Sequence, residues 1–414
     1  MKIRSMILAG AALATLSAFT AQAAETIKIA FVDPLSGPFA STGSSGLQQF
    51  RYAVDELVNK KGGVLGGRMF EIVAYDNKMS PKESLIQFKR AIGEGVHFIA
   101  QGNSSGVANA LTDAIKKHNK RNPDNRALFL NYSAVDPVLT NAKCNFWHFR
   151  FDANADIKMN ALTDVIKVNT DIKKIYLIGQ DYSFGKAVAA AAVRFLGEKR
   201  PDIEIVGNEL HPIGKVKDFT PYATKIRASG ADAVITGNWG ADMVGLGKAI
   251  GDTGLEIPIY TYYAANDGIT KTIGAGGKNK IRLVHEGPLN PPRTEAYKAY
   301  HSGFKAKNPD KDISQFRIVN TIQMLAAAIE KAGSDKPIDV ARALEGMKFT
   351  TLHGEEIVMR AEDHQMLQPI HISVHTDENI TFDSDNSGFG LLVEKSVPAS
   401  DAALPTTCKM KRPS

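Results

Sequence analysis

Short β-branched runs alternate with longer stretches of apolar residues at helical spacing along most of this 414-residue chain. That alternation is the pattern of a parallel sheet covered by helices on both faces, and it sets the expected fold class as α/β, doubly wound. Strands are expected over 27–32, 68–75, 97–101, 127–131, 174–178, 204–210, 233–236 and 258–262. Helices are expected over 45–59, 81–93, 107–119, 157–168, 185–198, 219–228 and 241–251, and again over 293–305, 314–331 and 338–345. Turn-forming residues break the rhythm over 144–152, where a second βα set begins. From about residue 350 the chain changes to short strands such as 370–375 among charged turns. Two βα sets in series make two domains, as expected for a chain too long for one core.

The N-terminal end reads as an export tag. Lys2 and Arg4 precede a mostly apolar, uncharged run from Met6 to Phe19, and Ala21-Gln22-Ala23 offers small residues before a cut at Ala24. Residues 1–23 are therefore expected to be a cleaved signal peptide, with the mature protein free in the periplasm. No cysteine lies near the cut to carry a lipid, and no run reaches the roughly 20 apolar residues of a membrane span. Neither membrane insertion nor a soluble cofactor is expected there, and a large α/β fold so placed is more readily a binder than a catalyst.

The formal charge of +6 falls to +4 without Lys2 and Arg4, and the remaining basic residues are interspersed with acidic ones, without the stripe that nucleic acid requires. Lys409, Lys411 and Arg412 read as a solvated chain end. The two cysteines, Cys144 and Cys408, are expected to form one disulfide in an oxidising compartment, pinning the C-terminal tail to the body. They sit in no C-x-x-C motif, so no metal site is expected from them.

Gly102-Asn103-Ser104-Ser105-Gly106 matches the G-x-S-x-G pattern of a nucleophile elbow, between an expected strand and helix. A secreted serine hydrolase using Ser104 would also need an oxyanion loop and a base, for which only His285 or His353 could be drafted. The competing reading is an anion site: small residues at a strand-to-helix turn leave helix N–H groups and two hydroxyls facing a negative charge. Gly245-Leu246-Gly247 lies inside a helical stretch and is no dinucleotide loop. Gly274 to Lys278 reads as a turn. His371 and His375 would share one face of a strand, but without a third ligand they read as surface histidines. Aromatic residues follow several strand ends: Tyr132, Tyr182 and Phe184, Trp239, Tyr262 and Tyr263. Ligands of open α/β sheets bind at the carboxyl ends of strands, so with Ser104, Ser105 and Ser133 these residues outline a pocket with apolar walls and a polar grip.

An ordered set of segments resembles the type I periplasmic solute-binding proteins of ABC importers, specifically the branched-chain amino acid (Leu/Ile/Val) binding family. The segments are Ile29 to Pro38, Lys60 to Gly67, Tyr75-Asp76-Asn77, the Asn103 to Gly106 loop, Asp136 to Thr140 and Asp181 to Gly185. The resemblance covers essentially the whole mature chain. It implies two lobes, 24–149 plus 286–354 and 150–285 plus 355–414, joined by crossings near residues 150, 285 and 355. It also implies a monomer that closes on a small carboxylate-bearing solute and passes it to a membrane permease, without enzymatic activity. A ligand sensor for a signalling receptor would use the same fold. By position, Ser104, Ser105, Ser133 and Ala134 match the grip on the carboxylate, and Tyr182, Phe184, Trp239 and Tyr263 match the second-lobe side of the site.

Two positions depart from the family pattern. Val135 stands where a hydroxyl residue is usual, and Tyr263 stands in the loop that usually supplies an acid for the α-ammonium. A buried ammonium needs an anion, so unless Asp156, Asp181 or Asp267 replaces it, the expected ligand is a carboxylate without an ammonium, aromatic or otherwise hydrophobic.

Overall fold

The structure, a computed structural model, describes residues 25–265 and 268–413. The expected signal peptide and Asp267 lie outside the described residues. The first βα set comprises β1 (Ile27–Asp33), α1 (Ala40–Leu57), β2 (Phe70–Asp76), α2 (Pro81–Gly93), β3 (Phe98–Gln101), α3 (Ser105–Arg121), β4 (Leu128–Asn131) and β5 (His148–Arg150). Its five strands are parallel, in the order β2-β1-β3-β4-β5. Every residue of β1 except Lys28 is buried, as a strand covered on both faces requires. Local chemistry starts the helices: Ser80 accepts the N–H of Glu83 with Pro81 at the first position of α2, and Asn154 accepts the N–H of Ile157.

That second cap opens the next set: α4 (Ala155–Val168), β6 (Lys174–Gln180), α5 (Ser183–Lys199), β7 (Glu204–His211), α6 (Thr220–Ala228), β8 (Ala233–Thr236), α7 (Ala241–Asp252), β9 (Ile259–Thr261), α8 (Ile269–Ile273) and β10 (Ile281–His285). The chain continues through α9 (Glu295–Lys307), α10 (Arg317–Ala332), α11 (Pro337–Leu344), β11 (Lys348–Thr350), β12 (Glu356–Met359), β13 (Met366–Leu367), β14 (Ile370–Thr376), β15 (Gly390–Val397) and α12 (Ala399–Ala402).

The second sheet has the order β15-β14-β10-β9-β8-β6-β7. Its strands run parallel from β7 to β10, but β14 and β15 join antiparallel. No helix separates β14 from β15, and a parallel pairing needs a crossover. The expected purely parallel sheet is thus extended by an antiparallel edge. His371 and His375, read as surface residues, are buried in β14, because that strand lies between β10 and β15.

β11, β12 and β13 form a third, small antiparallel sheet, and two main apolar cores accompany the two large ones. Phe31, Phe50, Leu111, Phe129, Ile322 and Leu325 belong to the first, which draws in α10 from late in the chain. Ile157, Leu162, Ile175, Phe195, Ile235 and Ile372 belong to the second. Ile357, Met359 and Met366 pack into the first core, so β12 and β13 side with the first sheet although the sequence placed them beyond the third crossing. The passage to the second sheet follows β13.

Cys144 and Cys408 are disulfide-bonded, with a Cα–Cα distance of 5.8 Å. Around the bridge the Thr406 hydroxyl donates to the Thr140 carbonyl, and Met410 packs against the first core. Lys409, Lys411 and Arg412 are exposed, as a solvated end requires, and Arg412 also forms a surface ion pair with Glu345 at 2.8 Å. No helix among the described residues is long and apolar enough to cross a membrane.

Candidate functional site

A cleft with about 330 Å³ of empty space, open solvent included, lies between the two sheets. From the first lobe Ser104, Ser105, Ser133 and Ala134 line it. Tyr182, Phe184, Trp239 and Tyr263 line it from the second. Strand ends deliver these residues. Helices α3, α5 and α7 start at Ser105, Ser183 and Ala241, and α10 starts at Arg317, so the N-terminal ends of four helices meet around one space. Their first-turn N–H groups have no partner inside the helix and carry partial positive charge, which favours an anion.

The polar grip is held from below by a buried carboxylate. Asp33, at the end of β1, accepts the N–H groups of Gly102 and Asn103 at 3.0 and 2.9 Å and the Tyr132 hydroxyl at 2.6 Å. Burial nevertheless pushes the Asp33 carboxyl up to about 7, against the lowering effect of those donors. The loop so anchored delivers Ser104 at a φ of 81°, in the left-handed region that a non-glycine residue occupies only when its surroundings enforce it. Gly102 is needed for packing: a Cβ there would come within 2.6 Å of the Tyr132 ring. The glycine that opens the G-x-S-x-G match is thus explained by close approach to Tyr132. Ser105 Oγ accepts the Asp136 N–H at 3.2 Å and ties this loop to the next.

The opposite wall is aromatic. Trp239 Nε1 donates to the Tyr182 hydroxyl at 2.8 Å, and Phe184 lies 5.8 Å from Tyr263 between ring centroids. Tyr263 is also bound to the hinge: its hydroxyl is 3.3 Å from both the Ser133 carbonyl and Asp152 Oδ2.

Sequence reasoning did not single out Thr42, Asn103, Gln315 and Arg317, which also line the cavity. Arg317 is 3% exposed and belongs to a buried cluster of two cations and two anions. Its Nη1 donates to Glu286 Oε1 at 2.9 Å and its Nη2 to Ser133 Oγ at 2.9 Å. Lys158 Nζ lies 2.7 Å from Asp152 Oδ1, completing the set. Burial disfavours the Glu286 carboxylate, but Arg317 and Lys158 outweigh it and hold the group down at about 2. Burial raises Asp152, with Lys158 opposing. Arg317 and Lys158 both sit over the Tyr263 ring, at 5.6 and 5.0 Å from its centroid. A clue was present in sequence: Asp152 and Glu286 each lie beside an expected crossing.

Among the described residues, which do not include Asp267, no aspartate or glutamate lines the cavity. Asp156 pairs with Arg194 at 3.0 Å and Asp181 with Lys186 at 3.1 Å, so neither takes the place left by Tyr263. His285 and His353, drafted as bases for a hydrolase, do not line the cavity either. His285 Nε2 bonds Ser373 Oγ at 2.7 Å, and His353 is packed 3.6 Å from the Phe316 ring. Among the described residues no group of three or more His, Cys, Asp or Glu is arranged to hold a metal ion.

A two-lobed α/β fold with an aromatic-walled cleft between its sheets defines a solute receptor. The family model for periplasmic binding proteins matches residues 26–377, and the chain belongs to that family. Among its relatives is Leu/Ile/Val-binding protein homolog 4 of Brucella melitensis biotype 1, 32% identical over 424 residues and covering 100% of both chains. Among solved structures, the leucine-, isoleucine-, valine-, threonine- and alanine-binding protein of Brucella ovis, in a closed conformation, matches with a TM-score of 0.82 at 31% identity, covering 94% of this chain and 100% of that one. A solute-binding protein of an ABC transporter from R. palustris, in complex with benzoate, shares the fold with a TM-score of 0.77 at 18% identity over 93% of this chain and 99% of its own.

Proposed function

We propose that this chain is the periplasmic receptor of an ABC importer, and that its ligand is a small apolar or aromatic carboxylic acid without an α-ammonium. One observation carries the reading: the cavity brings hydroxyls, helix N-termini and a buried arginine to its polar side and aromatic rings to the other, with no acid among the described residues that line it. A carboxylate gains charge-assisted bonds on the polar side. An ammonium would be buried without an anion. The relatives' names point to branched-chain amino acids and the R. palustris structure to benzoate, and the electrostatics of this cavity favours the second kind of ligand.

In this reading Ser104, Ser105, Ser133 and Ala134 grip the carboxylate, while Tyr182, Phe184, Trp239 and Tyr263 select shape. Only the closed arrangement touches the solute from both lobes, so binding shifts the population toward closure, and a permease that recognises the closed form receives the solute intact. The receptor works as a monomer.

Calorimetry on the mature protein with leucine, isoleucine and valine beside benzoate and other aromatic acids tests the reading. Tight binding of the acids, unchanged on recovery, is expected. Tight binding of leucine with none of the acids would remove the ligand assignment, and turnover of an ester lost in Ser104→Ala would remove the receptor.

A further inference from the structure

An arginine side chain offers only donors, so whatever it touches must present an acceptor. Both protons of Arg317 Nη2 are committed, one to Ser133 Oγ at 2.9 Å and one to Gln315 Oε1 at 3.1 Å. Each contact fixes the polarity of its partner. The Gln315 side chain turns its oxygen to Arg317, which leaves its amide nitrogen, with two protons, as the other arm. The Ser133 hydroxyl accepts from Arg317, which leaves its own proton to donate elsewhere.

Gln315 is 1% exposed and lines the cavity, and its Nε2 has no hydrogen-bond partner among the described residues. The backbone of Gln315 is separately secured, its N–H donating to Gln49 Oε1 at 3.0 Å. Ser133 lines the same cavity. Arg317 is in turn held by Glu286 and lies 3.5 Å from Asp152 through its Nε, so it cannot rotate to offer anything other than donors.

We infer that Gln315 and Arg317 determine the charge of the ligand: Arg317 orients Gln315 Nε2 and the Ser133 hydroxyl as a pair of donors reserved for an anionic oxygen, and this pair rejects an ammonium. The inference rests on the receptor reading and deepens it. Gln315 contacts the ligand carboxylate, and Arg317 is a positioning residue that acts through its two neighbours. The arrangement discriminates by repulsion as well as attraction, since an ammonium at this wall meets the Gln315 amide protons and no carboxylate among the described residues that line the cavity.

The test uses pairs of probes that differ only by the α-ammonium: 4-methylpentanoate against leucine, and 3-phenylpropanoate against phenylalanine, with benzoate added, each titrated by calorimetry into the mature protein. The wild type is expected to prefer the acid of each pair. Gln315→Glu keeps the shape and the bond to Arg317 but turns the free arm from donor to acceptor. It is expected to weaken the acids at least 100-fold and to reverse the preference within each pair. Gln315→Leu removes the donor without adding charge and is expected to weaken the acids about tenfold with no gain for the amino acids.

A folded Gln315→Glu protein that keeps the wild-type preference overturns the inference. Should its thermal melt show that it does not fold, Ser133→Ala decides instead: a tenfold or greater loss for the acids supports the donor pair, and unchanged affinity overturns it. A wild type that binds the amino acid of each pair more tightly overturns the inference and leaves the receptor. A wild type that binds no member of the series overturns the receptor reading itself.

Discussion

The Phe39 ring sits 4.3 Å from that of Trp239, centroid to centroid, although Phe39 belongs to the first lobe and Trp239 to the second. Phe39 is 4% exposed and packs with the apolar core of the second lobe. Its seat is shaped by two glycines: a Cβ on Gly214 would lie 2.6 Å from the ring and one on Gly240 2.8 Å. Trp239 meanwhile lines the cavity, so the pocket wall and this inter-lobe contact are the same side chain.

Phe39→Ala is expected to act on closure. Burying a phenylalanine side chain contributes about 1.5–3 kcal/mol, so ligand affinity is expected to fall about 10- to 100-fold while the unliganded protein melts near the wild-type temperature. Calorimetry paired with thermal melts checks this. An equal loss in the melt of the unliganded protein would assign Phe39 to fold stability instead.

Acid is expected to destabilise the protein well before its exposed carboxylates titrate. Burial pushes His285 down to about 3 and His301 to about 4, and it lowers His353 and His148 strongly as well. These groups stay neutral when folded but take up protons near pH 6.5 when unfolded. Their contribution is therefore complete above pH 6.5 and is lost as pH falls toward 4, at up to about 1.4 kcal/mol per pH unit per group. Asp33 runs the other way: with its carboxyl raised to about 7, its contribution is lost as pH rises from about 4 to 7. Asp152 is raised by burial as well, but these two carboxyls do not offset the lowered histidines, His364 and His375 among them, so the urea midpoint is expected to fall between pH 7 and pH 4.5. His353 has no hydrogen-bond partner for either ring nitrogen among the described residues and lies 4.0 Å from the Tyr297 ring. His353→Phe is expected to flatten the profile, and an unchanged slope would show that His353 does not contribute.

The strand-helix rhythm carried most of the fold because the inner strands, such as β1, β3, β4 and β8, are buried almost throughout and the helices between them bury one face. β5 and β10 were not legible. β5 has only three residues, His148-Phe149-Arg150, two of them polar, and it is a strand because β4 pairs with it. β10 begins just after a glycine-rich turn and contains Arg282 and His285. The aromatic and serine lining of the cavity was legible because residues at strand ends have a position rule behind them. Gln315 and Arg317 were not, since they enter at the start of α10, far along the chain, and their role depends on a charge cluster assembled from residues 152 to 317. No local pattern encodes such a contact.

That cluster makes a specific demand on stability. Removing one member of a buried ion network leaves its partner uncompensated, at a cost of about 3–5 kcal/mol, whereas removing a pair costs less. Arg317→Met is expected to destabilise the protein by that amount, because Glu286 and Asp152 lose a cation. Arg317→Met with Glu286→Gln is expected to recover a large part of the loss. Denaturation midpoints of the wild type, the single variants and the double variant measure the coupling, and strictly additive losses would show that the two side chains are independent.

The Cys144–Cys408 bridge closes a loop across a sequence separation of 264 residues, yet it holds only a tail that has already left the second sheet. Cross-linking restricts the unfolded chain, and for a long loop the typical gain is about 2–4 kcal/mol. The Cys144→Ser, Cys408→Ser double variant is expected to lose that amount in chemical denaturation. The remaining ties on the tail lie mostly at the surface: Leu404 to Arg360, Thr406 to Thr140, Thr407 to Asn141, Arg412 to Glu345 and Ala361, and the packing of Leu404 and Met410. The same variant is therefore expected to be cut by a protease within residues 404–412 under native conditions while the body stays intact. The cavity is lined by no residue of this tail, so ligand affinity should stay within twofold of wild type, and a larger change would tie the tail to the closing of the lobes.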